Sequence, residues 1–192
     1  AGPERTLTFA ELGDRVTRVA NGLLALGLQP GDRVLVLQSN STTYLETDLA
    51  IRAAGLVRVA LNYRLHPGDW ARIADDSGAA ALVYDARFAE QTADLRSGLG
   101  NARVLAVGDG PGTAYDLLVQ QAAATPLPPV DADSLCGLHY SSGTTGHPKG
   151  AQRPVVRVVP PLPPRVLTAD RGGAGLGVTT VGDAIGGVDG HA

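Results

Sequence analysis

The chain has 192 residues, 44% hydrophobic and 18% charged, which suits one globular domain with an appendage and excludes a disordered polymer. A formal net charge of −3 gives no electrostatic case for nucleic acid or an anionic membrane as the main partner. No apolar run approaches the roughly 20 residues needed to cross a bilayer, and the start carries no signal-peptide pattern, so a cytoplasmic protein without a transmembrane segment is expected. The single cysteine, Cys136, lies among apolar neighbours and reads as a small buried strand residue. The sequence contains no methionine, so residue 1 is not expected to be the translation start. Nothing in it sets an oligomeric state.

The predicted elements alternate. Residues 8 to 26 form an amphipathic helix: Thr8 and Glu11 have capping-box spacing, Leu12, Val16, Val19, Leu23 and Leu26 recur at helical intervals, and Gly27 supplies the stop. Residues 33 to 38 read as a buried strand, 42 to 54 as a helix ended by Gly55, and 56 to 60 as a strand. Pro67 opens a helix to about residue 76. A strand at 80 to 84, a helix at 86 to 97, a strand at 103 to 107 and a helix at 113 to 124 follow. Pro126, Pro128 and Pro129 make a stiff link, and residues 135 to 140 form a last strand. Helix-length connections permit parallel pairing, so the expected fold class is α/β, a mostly parallel sheet with helices on both faces. Ligands of such sheets bind outside the carboxyl ends of the strands.

Directly after that last strand comes Tyr140-Ser141-Ser142-Gly143-Thr144-Thr145-Gly146-His147-Pro148-Lys149-Gly150. Lys149 is the chain's one lysine; the other 15 basic residues are arginines. A compact ammonium on a flexible stem differs from a planar guanidinium fork. Three glycines and a proline within 143 to 150 exclude a helix or central strand and let backbone N–H groups converge on an anion. Ser141, Ser142, Thr144 and Thr145 add hydroxyls. The alternative is a Gly/Ser/Thr-rich surface loop that binds nothing. A Walker loop needs G-x-x-x-x-G-K-[S/T], which is absent, as is a Rossmann G-x-G-x-x-G.

The run S-S-G-T-T-G-H-P-K-G resembles the phosphate-loop signature of the AMP-forming adenylating enzymes, which include acyl-CoA synthetases, nonribosomal adenylation domains and firefly-type luciferases. Leu7 to Leu12, Gly27 to Val34 and Ala54 to Leu65 resemble further segments of that family, with Ala60 in place of its usual proline. The resemblance covers about residues 5 to 150. It implies the N-terminal part of the AMP-binding domain, and a two-step acid–thiol ligase that activates a carboxylic acid as acyl-AMP with Mg-ATP and passes it to coenzyme A. In that reading Ser141, Ser142, Gly143, Thr144, Thr145, Gly146, Lys149 and Gly150 hold the β- and γ-phosphates. The Leu61-Asn62-Tyr63-Arg64-Leu65 segment suggests fatty-acyl or related acids, hence fatty acid metabolism. The family's adenine pocket, magnesium-binding glutamate, acyl pocket and second lysine have no counterpart motif here, so no complete catalytic set, metal site or coenzyme A site is expected. This chain alone is expected not to complete adenylation; a catalytically incompetent remnant or interaction module that keeps only the phosphate loop is the alternative.

Other residues have plainer readings. His66 is expected to enter a helix, His139 to pack within its strand and His147 to face solvent. Asn62, Tyr63 and Arg64 either approach the nucleotide or form a turn. Asp75 and Asp76 read as a solvated helix end, and Trp70 as packing. Residues 151 to 192 hold five prolines and eight glycines but no aromatic residue, Glu or Lys. They read as a poorly structured, non-family tail, expected from a shifted reading frame or an artificial truncation.

Overall fold

The computed structural model describes residues 6–100, 103–131, 133–141 and 149–154, all within one compact unit. Helix α1 (Phe9–Ala25) starts at the capping box: the Glu11 N–H donates to Thr8 Oγ1 at 3.2 Å, and the Thr8 N–H donates to Glu11 Oε2 at 2.7 Å. Those bonds satisfy donors that a helix start otherwise leaves free, and they hold the Glu11 carboxyl below its usual range. Gly27 follows at φ 86°, a left-handed residue that ends the helix and turns the chain toward β1 (Arg33–Leu37). Helix α2 (Thr42–Ala53), capped by Ser41, leads through Gly55 at φ 71° into β2 (Val57–Ala60).

Helix α3 (Pro67–Ser77) has His66 as its N-cap, the imidazole Nδ1 accepting from the Gly68 N–H at 3.1 Å, with Pro67 in the first turn. Its far end is closed by Arg33, which donates to the Ser77 and Gly78 carbonyls, both at 2.7 Å. A cation there meets the negative end of the helix dipole. Strand β3 (Ala81–Asp85) follows.

The helix expected at 86 to 97 is broken. A 3-10 turn (Ala86–Phe88) precedes α4 (Ala93–Leu99), and buried Thr92 bonds back to the Phe88 carbonyl at 2.8 Å. The helix expected at 113 to 124 is shorter too: after β4 (Val104–Val107), Thr113–Ala114 form β5, and α5 is Tyr115–Gln121. Strands β4 and β5 are parallel although only five residues join them. Gly108 (φ 96°) and Gly112 (φ 113°) make that path possible. The last strands are β6 (Leu135–Ser141) and β7 (Lys149–Pro154).

The sheet order is β5-β4-β3-β1-β2-β6-β7. Every neighbouring pair is parallel except β6–β7. Alternation along each strand feeds two cores. Val34, Val36 and Val83 pack with Val19, Leu23, Ile51 and Leu118 from α1, α2 and α5. Leu35, Leu82 and Tyr84 pack with Trp70, Ile73 and Leu95 from α3 and α4. Both faces are therefore covered, as the fold class requires. On the first face a buried carboxylate joins three helices: Glu46 accepts from Arg15 Nε at 2.5 Å and from the Tyr115 hydroxyl at 2.9 Å. The proline link from α5 to β6 runs along α1, where Arg18 donates to the Ala122 carbonyl and Asn21 to the Thr125 carbonyl, each at 2.8 Å.

Strand β7 was not expected from the sequence. It carries sheet pairing four residues past Gly150, to Pro154. Residues 155 to 192, the rest of the expected tail, lie outside the described residues. Among the described residues no helix is long and apolar enough to cross a membrane.

Candidate functional site

Because β1, β2, β3 and β6 run parallel, their carboxyl ends share one edge of the sheet. Strand β6 reaches that edge at Ser141, where the candidate phosphate segment begins. The last two pairs of the β6–β7 hairpin are Tyr140↔Gly150 and Ser141↔Lys149. The backbone of both ends of the segment is thus fixed at the carboxyl edge of the sheet. Ser142, Gly143, Thr144, Thr145, Gly146, His147 and Pro148 lie outside the described residues, as do the side chains of Ser141 and Lys149.

Gly150 does not have positive φ. What calls for glycine there is contact: an added Cβ would lie 3.0 Å from Tyr140 Cζ and 3.1 Å from its Cε1. The Tyr140 ring covers the facing strand, and its hydroxyl donates to Asp76 Oδ2 at 2.6 Å. Burial, then that carboxylate, push the Tyr140 phenol up to about 12. Asp76 is therefore more than a solvated helix end; it ties α3 to the strand that carries the segment.

The other side of β6 carries His139, whose Nε2 stands 3.4 Å from Arg58 Nη2. The Arg58 side chain is 8% exposed and donates to the Tyr44 hydroxyl at 2.6 Å. Its Nε lies 2.9 Å from Asp48 Oδ1 without the alignment of a hydrogen bond, so that contact is ionic. Asp48 also pairs with Arg52, at 3.1 Å, and Arg52 Nη1 lies 4.0 Å from Cys136 Sγ. His139 and Cys136 are packed strand residues, as expected.

Asn62, Tyr63 and Arg64 form a turn: Asn62 Oδ1 accepts from the Arg64 N–H at 3.0 Å, and the Asn62 carbonyl accepts from the Trp70 indole at 3.0 Å. Tyr63 stacks on Phe88, with ring centroids 6.3 Å apart, while Arg87 lies 4.5 Å over the Phe88 ring. Sequence reasoning missed Gln38, at the carboxyl end of β1. It is 4% exposed, and neither amide atom has a hydrogen-bond partner among the described residues. A polar residue closing an apolar strand run was the one signal for it. A cavity of about 580 Å³ lies elsewhere, at the amino ends of the strands, lined by Pro30, Gly31, Ala54, Pro128, Val130 and Leu135. Its distance from the carboxyl edge separates it from the phosphate segment.

Comparison with known proteins agrees with this geometry. The family model described as AMP-binding enzyme matches residues 2–158, eight beyond Gly150. The chain is 45% identical over 145 residues to a feruloyl-CoA synthase of an Amycolatopsis species, covering 76% of this chain and 28% of that protein. It is 33% identical over 153 residues to a long-chain-fatty-acid–CoA ligase of Mycobacterium tuberculosis, covering 75% and 29%. Among solved structures, an anthranilate CoA ligase in complex with anthranoyl-AMP superposes with a TM-score of 0.74 at 26% identity, over 80% of this chain and 30% of that one. The chain thus spans under a third of the length of these relatives. Matched by that family model over residues 2–158, the chain belongs to the AMP-binding enzymes, the AMP-forming adenylating superfamily, and corresponds to the N-terminal part of their fold.

Proposed function

We propose that this chain supplies the phosphate-binding segment of an ATP-dependent acid–thiol ligase. In this reaction a carboxylate oxygen attacks the α-phosphorus of ATP, pyrophosphate leaves, and acyl-AMP forms. The thiol sulfur of coenzyme A then attacks the acyl carbonyl, and AMP leaves. The observation that carries the reading is the start of the Ser141–Gly150 motif where β6 meets the carboxyl edge, in a chain matched over residues 2–158. Lys149 supplies an ammonium to the β- and γ-phosphates. Ser141, Ser142, Thr144 and Thr145 supply hydroxyls, while Gly143 and Gly146 free backbone amides to point inward. Fixed donors of this kind stabilise the charge that grows on departing pyrophosphate.

Among the described residues no group of three or more His, Cys, Asp and Glu side chains could hold a metal ion. Identity of 45% to a feruloyl-CoA synthase against 33% to a fatty-acid ligase supports an aromatic acid as substrate over the fatty-acyl class that Leu61 to Leu65 suggests. A module that binds phosphate without ligase chemistry is the second reading; the chain supplies a candidate phosphate segment, and the described residues supply no other assigned site.

Calorimetric titration with ATP, on the chain and on Lys149→Ala, tests the segment. Losing one charged phosphate contact should weaken binding about tenfold or more. Equal affinity in the two, or no binding by either, overturns the phosphate role. Acid-dependent ATP–pyrophosphate exchange separates the two readings: exchange supports the ligase, and ATP binding without exchange supports the module.

A further inference from the structure

We propose that Asp76, Tyr140 and Gly150 form a clamp that sets the neck of the phosphate segment, with Asp76 and Tyr140 acting as positioning residues for ATP. The clamp rests on the reading of that segment given above, but its parts are all described residues. Tyr140↔Gly150 is the pair next to Ser141↔Lys149, the closing pair of the hairpin. The phenol ring lies so close to Gly150 that a methyl group there would meet it at 3.0 Å. A side chain at 150 would push the ring back by a few tenths of an ångström, against the bond that holds its outer end. The ring's outer end is fixed by the 2.6 Å bond to Asp76.

Asp76 is an unusual choice for helix stability. It sits in the last turn of α3, where the helix dipole repels a carboxylate. Among the described residues no cation pairs with it, and its side chain accepts from Tyr140. A carboxylate placed against the local field, bonded to a phenol 64 residues away, contributes a fixed distance between α3 and β6. On the opposite side of β6, His139 meets Arg58, itself held by Asp48 and Tyr44. The neck is therefore gripped on both sides of its strand. Lys149 follows directly in register, so a shift at Tyr140 moves the backbone that carries the ammonium. Small displacements of this kind cost binding and rate steeply.

The test uses the full chain and four variants: Tyr140→Phe, Asp76→Ala, Asp76→Asn and Lys149→Ala. ATP affinity is read by calorimetry, and amide exchange at residues 149 and 150 by mass spectrometry without nucleotide. Tyr140→Phe and Asp76→Ala should each weaken ATP about five- to tenfold and speed exchange at those amides by a similar factor, the size expected for one lost charge-assisted hydrogen bond. Asp76→Asn keeps an acceptor oxygen and should recover part of both losses. A lesion of general stability would instead speed exchange across β1 and β3 as well, and that result overturns the clamp. If Lys149→Ala weakens ATP while Tyr140→Phe matches the wild type, the clamp fails and the phosphate reading stands. If no protein binds ATP, the phosphate reading fails, and with it the positioning role.

Discussion

Replacing Arg15 by Met is the sharpest test of how the three helices on the first face are held. Glu46 is buried in a largely apolar setting, with 2% of its side chain accessible. Arg15 approaches it through two nitrogens, Nε at 2.5 Å and Nη2 at 3.1 Å, and is itself 20% accessible. Hydrogen bonding to Glu46 is the largest reason that the Arg15 guanidinium holds its proton more tightly than usual. Removing one partner of a buried pair costs about 3–5 kcal/mol, because the other charge is left without compensation. Partial exposure of Arg15, and the Tyr115 hydroxyl that still donates to Glu46, place the loss near ~2–3 kcal/mol. For a folded unit of about 150 residues this is a fall in Tm of about 6–9 °C. Methionine keeps most of the apolar stem, so the loss reports the charge. The assay is thermal unfolding of Arg15→Met, Glu46→Leu and the double variant. The double variant should regain more than half of the loss, since no carboxylate then remains buried. A Tm for Arg15→Met within about 2 °C of the wild type, or losses that simply add in the double variant, would refute this account.

Gly112→Ala should cost about 2 kcal/mol or more, read as a lower urea midpoint, because φ is 113° and the new Cβ would lie 2.6 Å from the Val104 carbonyl oxygen; an unchanged midpoint would show that the β4–β5 path can relax. Tyr140 supplies a pH signature. Its phenol is pushed up to about 12 in the folded chain, above an ordinary value of about 10. The neutral form is the one favoured by folding, so this contribution is whole below pH ~10 and is lost as pH rises through about 12. The difference in phenolate absorbance between wild type and Tyr140→Phe should show a midpoint near the upper figure; a midpoint at the ordinary value would mean that the ring is neither buried nor bonded to Asp76.

The repeating order of strand and helix was legible because each boundary has local chemistry. Thr8 and Glu11 cap α1, Gly27 and Gly55 stop two helices, and Pro67 opens a third. Failures occurred where distant partners decide. The 86 to 97 segment has helical propensity, but Phe88 turns to pack against Trp70 and Tyr63, and the helix starts only at Ala93. A strand of two residues, β5, has no periodicity to detect. Strand β7 reads K-G-A-Q-R-P and lacks apolar alternation; pairing with β6 makes it a strand. At the candidate site, motif spacing singles out Ser141 and Lys149, and their backbones form the closing pair of the β6–β7 hairpin. Asp76 was not, since its partner Tyr140 lies on another element and no sequence pattern links them.

The sheet order also sets how much chain each strand pairing encloses. Strands β1 and β2 pair Arg33 with Val57, enclosing a short stretch of chain, whereas β2 and β6 pair Arg58 with Gly137 across 79 residues. By loop-closure entropy alone, the longer closure costs about 1 kcal/mol more. The chain enclosed forms β3, β4 and β5 on the opposite flank of the sheet. The hairpin that flanks the candidate segment is thus joined to the rest of the sheet through the strand pairing that encloses the longest stretch of chain.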